Sequence, residues 1–121
     1  MPILNVEIVG CLSGASEERL AQRLADAAGE VLQSARQGTW VKVRFLSPED
    51  YAENGGAPAG VMPIFVRVLQ RVLPPSDHLA AQTKALAKAI AEASGRPPEN
   101  IHVIYEPPGK GRVAFGGTLV E

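Results

Sequence analysis

Apolar and polar residues alternate in four separate stretches of the chain, residues 2–9, 40–46, 63–71 and 101–106. Alternation with a period of two, in segments rich in branched and aromatic side chains, predicts four β-strands. A further short apolar stretch at 113–115 is followed by a Gly-Gly pair, which predicts the start of a terminal hairpin.

The first and second strands are separated by apolar residues at helical spacing. Ser16 can cap a helix whose first turn carries Glu17 and Glu18, where acidic groups favour the positive end of the helix dipole. Leucine, valine and alanine then recur on one face, so we expect this helix to run to about Ala35 and to end before Gly38.

A second helix is predicted between the third and fourth strands. Pro74 and Pro75 break the third strand, and Ser76 then starts the helix. Gly95 suits the position just after the last helical residue. The buried stripe of this helix is predicted to consist of Leu79, Leu86 and Ile90, with Thr83, Ala87 and Ala91 between them.

The order strand–helix–strand therefore occurs twice, and the two copies predict one domain over residues 1–121, divided at about 1–61 and 62–121. A helical crossover joins parallel strands and is right-handed. The expected fold class is α/β, an α+β sandwich: a tandem βαβ repeat with a four-stranded mixed sheet and both helices on one face.

The sheet face opposite the helices is predicted to be open. Because the strands look apolar on both sides, we expect another subunit to cover this face, which makes the protein an oligomer. The alternative is that the loops at 47–61 and 107–121 cover it within one chain.

Composition excludes several classes of function. The chain is 45% hydrophobic with a net charge of −1 and no basic run, so nucleic acid is not an expected partner. No apolar stretch approaches the ~18 residues that cross a bilayer, and no signal peptide precedes the first strand, which predicts a soluble cytoplasmic protein. The single Cys11 and two histidines are not spaced to bind a metal, and no phosphate-binding motif is present, so no cofactor is expected.

The N-terminus carries the main functional clue. Met1-Pro2-Ile3 opens the chain and is echoed by residues 62–64. If Met1 is removed, Pro2 has a free secondary amine, whose ordinary pKa near ~8 falls toward neutrality when the amine is buried or lies near cations. Such an amine can take a proton from carbon and return it. The nitrogen of Pro63 is an amide and cannot do so.

Two other polar residues lie on predicted strands. Arg71 ends the third strand, where a guanidinium could hold a carboxylate with two hydrogen bonds and stabilise an enolate. His102 lies on the fourth strand sixty residues after Lys42, on the face opposite Val41 and Val43 or their equivalents.

These features resemble the tautomerase superfamily, whose members are built from the βαβ unit of 4-oxalocrotonate tautomerase. The resemblance covers essentially the whole chain and is strongest at residues 1–3, 63–71 and 94–101. It implies a homotrimer with sites at the subunit interfaces, a small carboxylate substrate, and Pro2 as the catalytic base.

The resemblance also implies roles for four more residues. Arg71 matches the arginine that binds the substrate carboxylate, and His102 matches a position from which other members reach into a neighbouring subunit's site. The segment 109–115 is similar to the C-terminal stretch of malonate semialdehyde decarboxylase, which implies that Arg112 and Phe115 line the pocket.

One departure from the family pattern bears on the reaction. The decarboxylase and dehalogenase branches carry a second arginine two or three residues after the first, where this chain has Leu73 and Pro74. We therefore expect keto–enol tautomerisation by Pro2, with Arg71 holding the carboxylate. The alternatives are decarboxylation, hydration or dehalogenation of a three-carbon acid, and a non-catalytic trimeric binding module if Met1 is retained.

Overall fold

The computed structural model describes residues 2–121 and contains the two βαβ units in one sheet. The elements of the first unit are β1 (Ile3–Val9), α1 (Leu20–Val31) and β2 (Trp40–Leu46); those of the second are β3 (Ile64–Leu69), α2 (Ser76–Ser94) and β4 (Ile101–Tyr105). A terminal hairpin follows, with β5 (Ala114–Phe115) and β6 (Thr118–Leu119). The predicted fold class and strand–helix order are confirmed.

The four strands lie in the order β2-β1-β3-β4. β1 is parallel to β2, β3 is parallel to β4, and the two units join through the antiparallel pair of β1 with β3. A mixed sheet results, because each helical crossover yields a parallel pair, while the two units meet through their equivalent first strands, which run antiparallel.

The two units repeat with a period of sixty residues. Val6 pairs with Val66 at the centre of the antiparallel pair, and Leu4–Val41 pairing in the first unit corresponds to Ile64–Ile101 pairing in the second. The Met-Pro-Ile echo is spaced by sixty-one residues. It is therefore one residue out of structural register, and the equivalent of Pro2 is Met62.

One face of the sheet packs against both helices. Alternate strand residues point into this core, and each helix contributes one apolar stripe, as the patterns predicted. Its fully buried residues include Leu4, Val6, Ile8, Leu24, Ala28, Ile64, Val66, Val68, Leu86 and Ile90.

The limits of α1 differ from the prediction at both ends. Residues Gly14–Ser16 form a separate 3-10 turn, Arg19 has a left-handed φ of 49°, and the helix begins only at Leu20. It ends at Val31, because Gln33 also turns left-handed with a φ of 52°. Ser16 does not cap this helix, and Gly38 does not end it.

The second helix follows its prediction closely. α2 runs from Ser76 to Ser94, and Gly95 takes a left-handed φ of 76° at its C-terminal cap. A glycine adopts this conformation without the steric cost that a Cβ imposes. β3 is shorter than predicted, so Arg71 lies two residues beyond the strand.

The sheet face opposite the helices, called the open face below, is more polar than the sequence indicated. Phe65, Ile3 and Leu69 lie on it, but so do several charged or polar side chains. Those on the described strands are Asn5, Glu7, Lys42, Arg44, Arg67 and His102. Trp40, Leu46 and Ile104 also lie on this face, and Trp40 and Ile104 are 53% and 40% exposed, so the open face is mixed in character.

Candidate active site

Pro2 lies directly before β1 and is half-buried. Its main-chain oxygen accepts a 3.0 Å hydrogen bond from the amide of Trp40, the first residue of β2. Pairing of β1 with β2 therefore places the chain's single tryptophan beside the residue proposed as the base. Met1, whose removal would free the Pro2 amine, lies outside the described residues.

Arg71 is at the same end of the sheet as Pro2. β1 and β3 are antiparallel and Ile3 pairs with Leu69, so the residues before β1 and after β3 adjoin. The Nε of Arg71 donates to the main-chain oxygen of Glu121 at 2.7 Å, and its Nη2 donates to the same oxygen. The main chain of Arg71 is thus at the Pro2 end of the sheet, and its guanidinium is bonded to Glu121.

Arg112 and Phe115 belong to the terminal hairpin. Phe115 makes an edge-to-face contact with Trp40, with ring centroids 5.1 Å apart and planes at 81°. Arg112 donates through Nη1 to the main-chain oxygens of Pro107 and Pro108, so its guanidinium folds back on its own loop. Phe115 therefore reaches the Pro2 end of the sheet through Trp40, whereas Arg112 binds the loop that precedes the hairpin.

His102 lies elsewhere in the same chain. It pairs with Phe65, which pairs with Glu7, whereas Pro2 is five residues before Glu7. At about 3.3 Å per residue that is roughly 16 Å along the strand, beyond direct contact. His102 instead packs on Phe65 with ring centroids 5.4 Å apart, and Tyr51 also packs on Phe65, with ring centroids 5.9 Å apart.

Tyr51 belongs to the loop at 47–61, which therefore covers part of the open face around Phe65. Its hydroxyl donates to a carboxylate oxygen of Glu53 at 2.5 Å. That hydrogen bond, then burial and then the negative charge of Glu53, raise the pKa of Tyr51 above its ordinary value.

A hollow of about 500 Å³ lies on the open face. Its lining includes three cationic side chains, Lys42, Arg44 and Arg67, with Glu7 and Asn5 among them. Arg67 also forms a 3.4 Å ion pair with Glu106, and both partners are well exposed, so this pair adds little stability. The residues at the Pro2 end do not line this hollow.

In the second unit, an arginine binds the main chain at the position that corresponds to the candidate site. The sixty-residue repeat makes Met62 and Cys11 the equivalents of Pro2 and Arg71. Arg96 donates to the main-chain oxygen of Met62 at 2.6 Å and to that of Cys11 at 3.2 Å. Partial burial of this guanidinium lowers the pKa of Arg96. In the second unit an arginine thus bridges the two segments equivalent to those that carry Pro2 and Arg71.

Sequence reasoning missed Trp40 and Glu121 as members of this region. Trp40 is 53% exposed, and its indole Nε1 donates to the main-chain oxygen of Gln37 at 3.0 Å. A lone tryptophan at the start of a strand was a signal that could have been used. Glu121 touches Arg71 through its main chain, which no side-chain pattern encodes.

No group of three or more histidine, cysteine or acidic side chains within residues 2–121 is arranged to hold a metal ion. Neither α1 nor α2, the longer helices of the described chain, has the length and apolar character to cross a membrane.

The sequence matches no protein-family model and no curated protein at a significant level. Solved structures, however, match nearly its full length. A structure described as a wild-type fused 4-OT symmetric trimer is 19% identical, with a TM-score of 0.79 over 98% of this chain and 94% of that one.

Two other solved structures also match nearly the full length of the chain. Pt0534, in a form inactivated by 2-oxo-3-pentynoate, is 19% identical with a TM-score of 0.79 over 97% of this chain and 95% of its own. A malonate semialdehyde decarboxylase, with decarboxylase and hydratase activities, is 14% identical with a TM-score of 0.70 over 94% and 90%. The chain therefore has the fold of these fused 4-OT, Pt0534 and decarboxylase structures, with two βαβ units joined in one sheet.

Proposed function

We propose that this chain is a cytoplasmic tautomerase-superfamily isomerase that interconverts the enol and keto forms of a small 2-oxo carboxylate. Pro2, once Met1 is removed, is the general base and acid. Arg71 holds the substrate carboxylate, and Phe115 and Arg112 contribute to the pocket.

The observation that carries this proposal is the adjacency of Pro2 and Arg71. Both follow from the antiparallel pairing of β1 with β3, since one residue precedes β1 and the other follows β3 at the same end. An amine and a guanidinium so placed can bind one small acid between them. The match to Pt0534 inactivated by a 2-oxo acid supports the same substrate class.

The proposed reaction moves one proton. The Pro2 nitrogen uses its lone pair to take the enol O–H proton, and the resulting ammonium then gives a proton to carbon as the carbonyl forms. Hydrogen bonds from Arg71 to the carboxylate stabilise the negative charge that develops on the enolate. A cationic group near the amine disfavours its protonated form, which suits the role of a general base.

We further propose a homotrimer in which His102 belongs to a neighbouring subunit's site. Within one chain His102 lies far from Pro2, so it can contribute only from another copy. The fused 4-OT matches include symmetric and asymmetric trimers. Light scattering is expected to give three times the 12.8 kDa mass of the chain, and a monomer would contradict this assembly.

A second candidate is decarboxylation or hydration of a three-carbon acid. The match to malonate semialdehyde decarboxylase favours it. The absence of a second arginine at Leu73 or Pro74 argues against it, because the substrate carboxylate would lose one of its two cationic partners. A non-catalytic trimeric binding module is the third reading, and full retention of Met1 in the native protein would favour it.

The proposal is tested with protein whose loss of Met1 has been verified by intact mass. Ketonisation of phenylenolpyruvate and of 2-hydroxymuconate is expected, together with negligible turnover of malonate semialdehyde and 3-haloacrylates. Turnover of the three-carbon acids alone would transfer support to the second candidate. No turnover of any of them would support the binding module.

A further inference from the structure

The terminal hairpin crosses the end of the sheet at which Pro2 lies. Phe115 contacts Trp40, which begins β2, while the main-chain oxygen of Glu121 is bonded to Arg71, which follows β3. β1 lies between β2 and β3, so the hairpin has one contact on each side of β1. Residues 113–121 are called the terminal strap below.

The loop that leads into the strap is hydrogen-bonded to the sheet. The amides of Gly109 and Lys110 donate to the main-chain oxygens of Gln70 and Arg71 at 2.7 and 3.0 Å. These bonds continue the pairing on the β4 side of β3 and hold the loop that precedes the strap beside Arg71.

The outer part of the strap is weakly packed. None of its residues is buried, and Leu119 is 52% exposed. Gly116 and Gly117 form its tip with φ of 56° and 91°, a backbone that suits a tight hairpin turn. With so little apolar surface buried, the strap can detach at small cost.

The contact with Glu121 occupies one of the two edges from which the Arg71 guanidinium can hold a carboxylate, the edge formed by Nε and Nη2. Nε and Nη2 of Arg71 both donate to the one main-chain oxygen. A guanidinium uses such a pair of N–H groups to hold a carboxylate, and the same hydrogens cannot serve both acceptors at full strength.

We propose that the terminal strap is an autoinhibitory element, in which the main-chain oxygen of Glu121 competes with the substrate carboxylate for Arg71. The inference rests on the proposed function, since it takes Arg71 as the carboxylate site. A carboxylate binds to the Nε/Nη2 edge of Arg71 only as the last residues of the strap release it. The affinity for a carboxylate therefore includes the cost of breaking this contact.

The test measures carboxylate affinity directly, without turnover. Fumarate is titrated into the full chain and into a variant that ends at Gly117, and binding is followed by the NMR signal of the Arg71 side-chain Nε–H. Loss of one exposed charge-assisted contact predicts a Kd about three- to ten-fold lower for the shortened chain. If the shortened chain is poorly folded, Val120→Pro serves instead, because it removes the amide that donates to Val113 at 2.8 Å.

Two controls make the result specific. Glu121→Ala keeps the main-chain oxygen and is expected to leave the fumarate Kd unchanged. In an Arg71→Ala background, strap removal is expected to have no effect on fumarate affinity, measured there by backbone amide shifts. Equal affinity of the full and shortened chains, or fumarate binding that leaves the Arg71 signal unmoved, would overturn the inference.

The proposed function is tested separately by turnover of phenylenolpyruvate. A chain that binds fumarate more tightly without its strap but ketonises nothing would keep the autoinhibitory contact and lose the tautomerase. A chain that ketonises phenylenolpyruvate, but binds fumarate equally well with and without the strap, would keep the tautomerase and lose the autoinhibitory contact.

Discussion

The amide of Trp40 donates a 3.0 Å hydrogen bond to the main-chain oxygen of Pro2. This bond extends the β1–β2 ladder by one residue and fixes the position of the proposed base at the end of the sheet. Trp40 in turn contacts Phe115 and thereby links Pro2 to the terminal hairpin. The proposed base is thus held by regular sheet pairing, while the residues around it come from less regular segments.

Arg71→Ala is expected to lower kcat/KM for phenylenolpyruvate by about 10- to 100-fold, because a partly exposed guanidinium contact to the carboxylate is lost. Arg71→Lys should recover only part of this loss, since an ammonium cannot form the paired contact. Lys88→Ala is the control, because Lys88 is an exposed cation in the middle of α2, on the helix layer and not in the segments at this end of the sheet. An Arg71→Ala enzyme with unchanged kinetics would remove Arg71 from the site.

His102 can be tested by mixing two inactive or weakened proteins. If His102 acts on a neighbouring subunit's site, trimers formed from Pro2→Ala and His102→Ala chains contain some sites with both native residues. Refolding the two together should therefore restore activity above that of either protein alone. Activity that stays at the average of the two parents would indicate that His102 does not act across the interface.

Arg96→Ala is expected to lower the free energy of unfolding by about 1–3 kcal/mol, as both main-chain oxygens it serves lose a partly buried donor. Urea unfolding monitored by circular dichroism measures the change. Arg36, sixty residues earlier, is exposed, and Arg36→Ala should stay within about 0.5 kcal/mol of the parent. A comparable loss in both variants would contradict the specific role of Arg96.

The Tyr51–Glu53 hydrogen bond predicts a loss of stability at high pH, where the phenol ionises. The Tyr51 pKa is raised above its ordinary value, chiefly because the hydrogen bond to Glu53 favours the protonated phenol. The small stabilisation that results is present below the ordinary tyrosine pKa of about 10 and is lost as pH rises through the raised value. Glu53→Gln should move the tyrosinate absorbance titration to lower pH.

Tyr105→Phe provides the background for that titration, because the chain has two tyrosines and this change leaves Tyr51 alone. A titration that Glu53→Gln leaves unmoved, or moves to higher pH, would show that the carboxylate does not set the Tyr51 pKa.

Much of the fold was predictable because it depends on local pattern. Leu4, Val6 and Ile8 alternate with less buried residues and face the helices, as the period of two requires. Gly95 marked the end of α2 for an equally local reason. These features need no knowledge of distant partners.

The start of α1 was not predictable in the same way. Arg23 donates to the main-chain oxygen of Ser16 at 2.5 Å and to that of Ala93 at 2.6 Å. Ala93 is seventy residues away, so the contact that ties the segment before α1 to the end of α2 cannot be read from neighbouring residues. The repeated Met-Pro-Ile segment was also misleading about which residues are equivalent. Its two copies are spaced by sixty-one residues, but strand pairing sets the structural period at sixty.

The residues of the candidate site were chosen from the sequence, and their chemistry stays a prediction, whereas their surroundings come from the structure. Pro2 and Arg71 were identified by residue type and position, and antiparallel pairing brings them to one end of the sheet. The partner of Arg71 was not foreseen, since Glu121 lies fifty residues later and uses a main-chain oxygen. The separation of His102 from Pro2 likewise depends on register across three strands.

The central claim is that the Pro2 amine moves the proton, and the two prolines of the echoed Met-Pro-Ile segments provide its most direct test. Phenylenolpyruvate ketonisation is measured for Pro2→Ala and for Pro63→Ala, each with Met1 removal verified and at equal folded fraction. Pro2→Ala should lower kcat by about 100-fold or more, as loss of a general base does, while Pro63→Ala keeps the parent rate. Equal rates for Pro2→Ala and the parent protein would contradict the account.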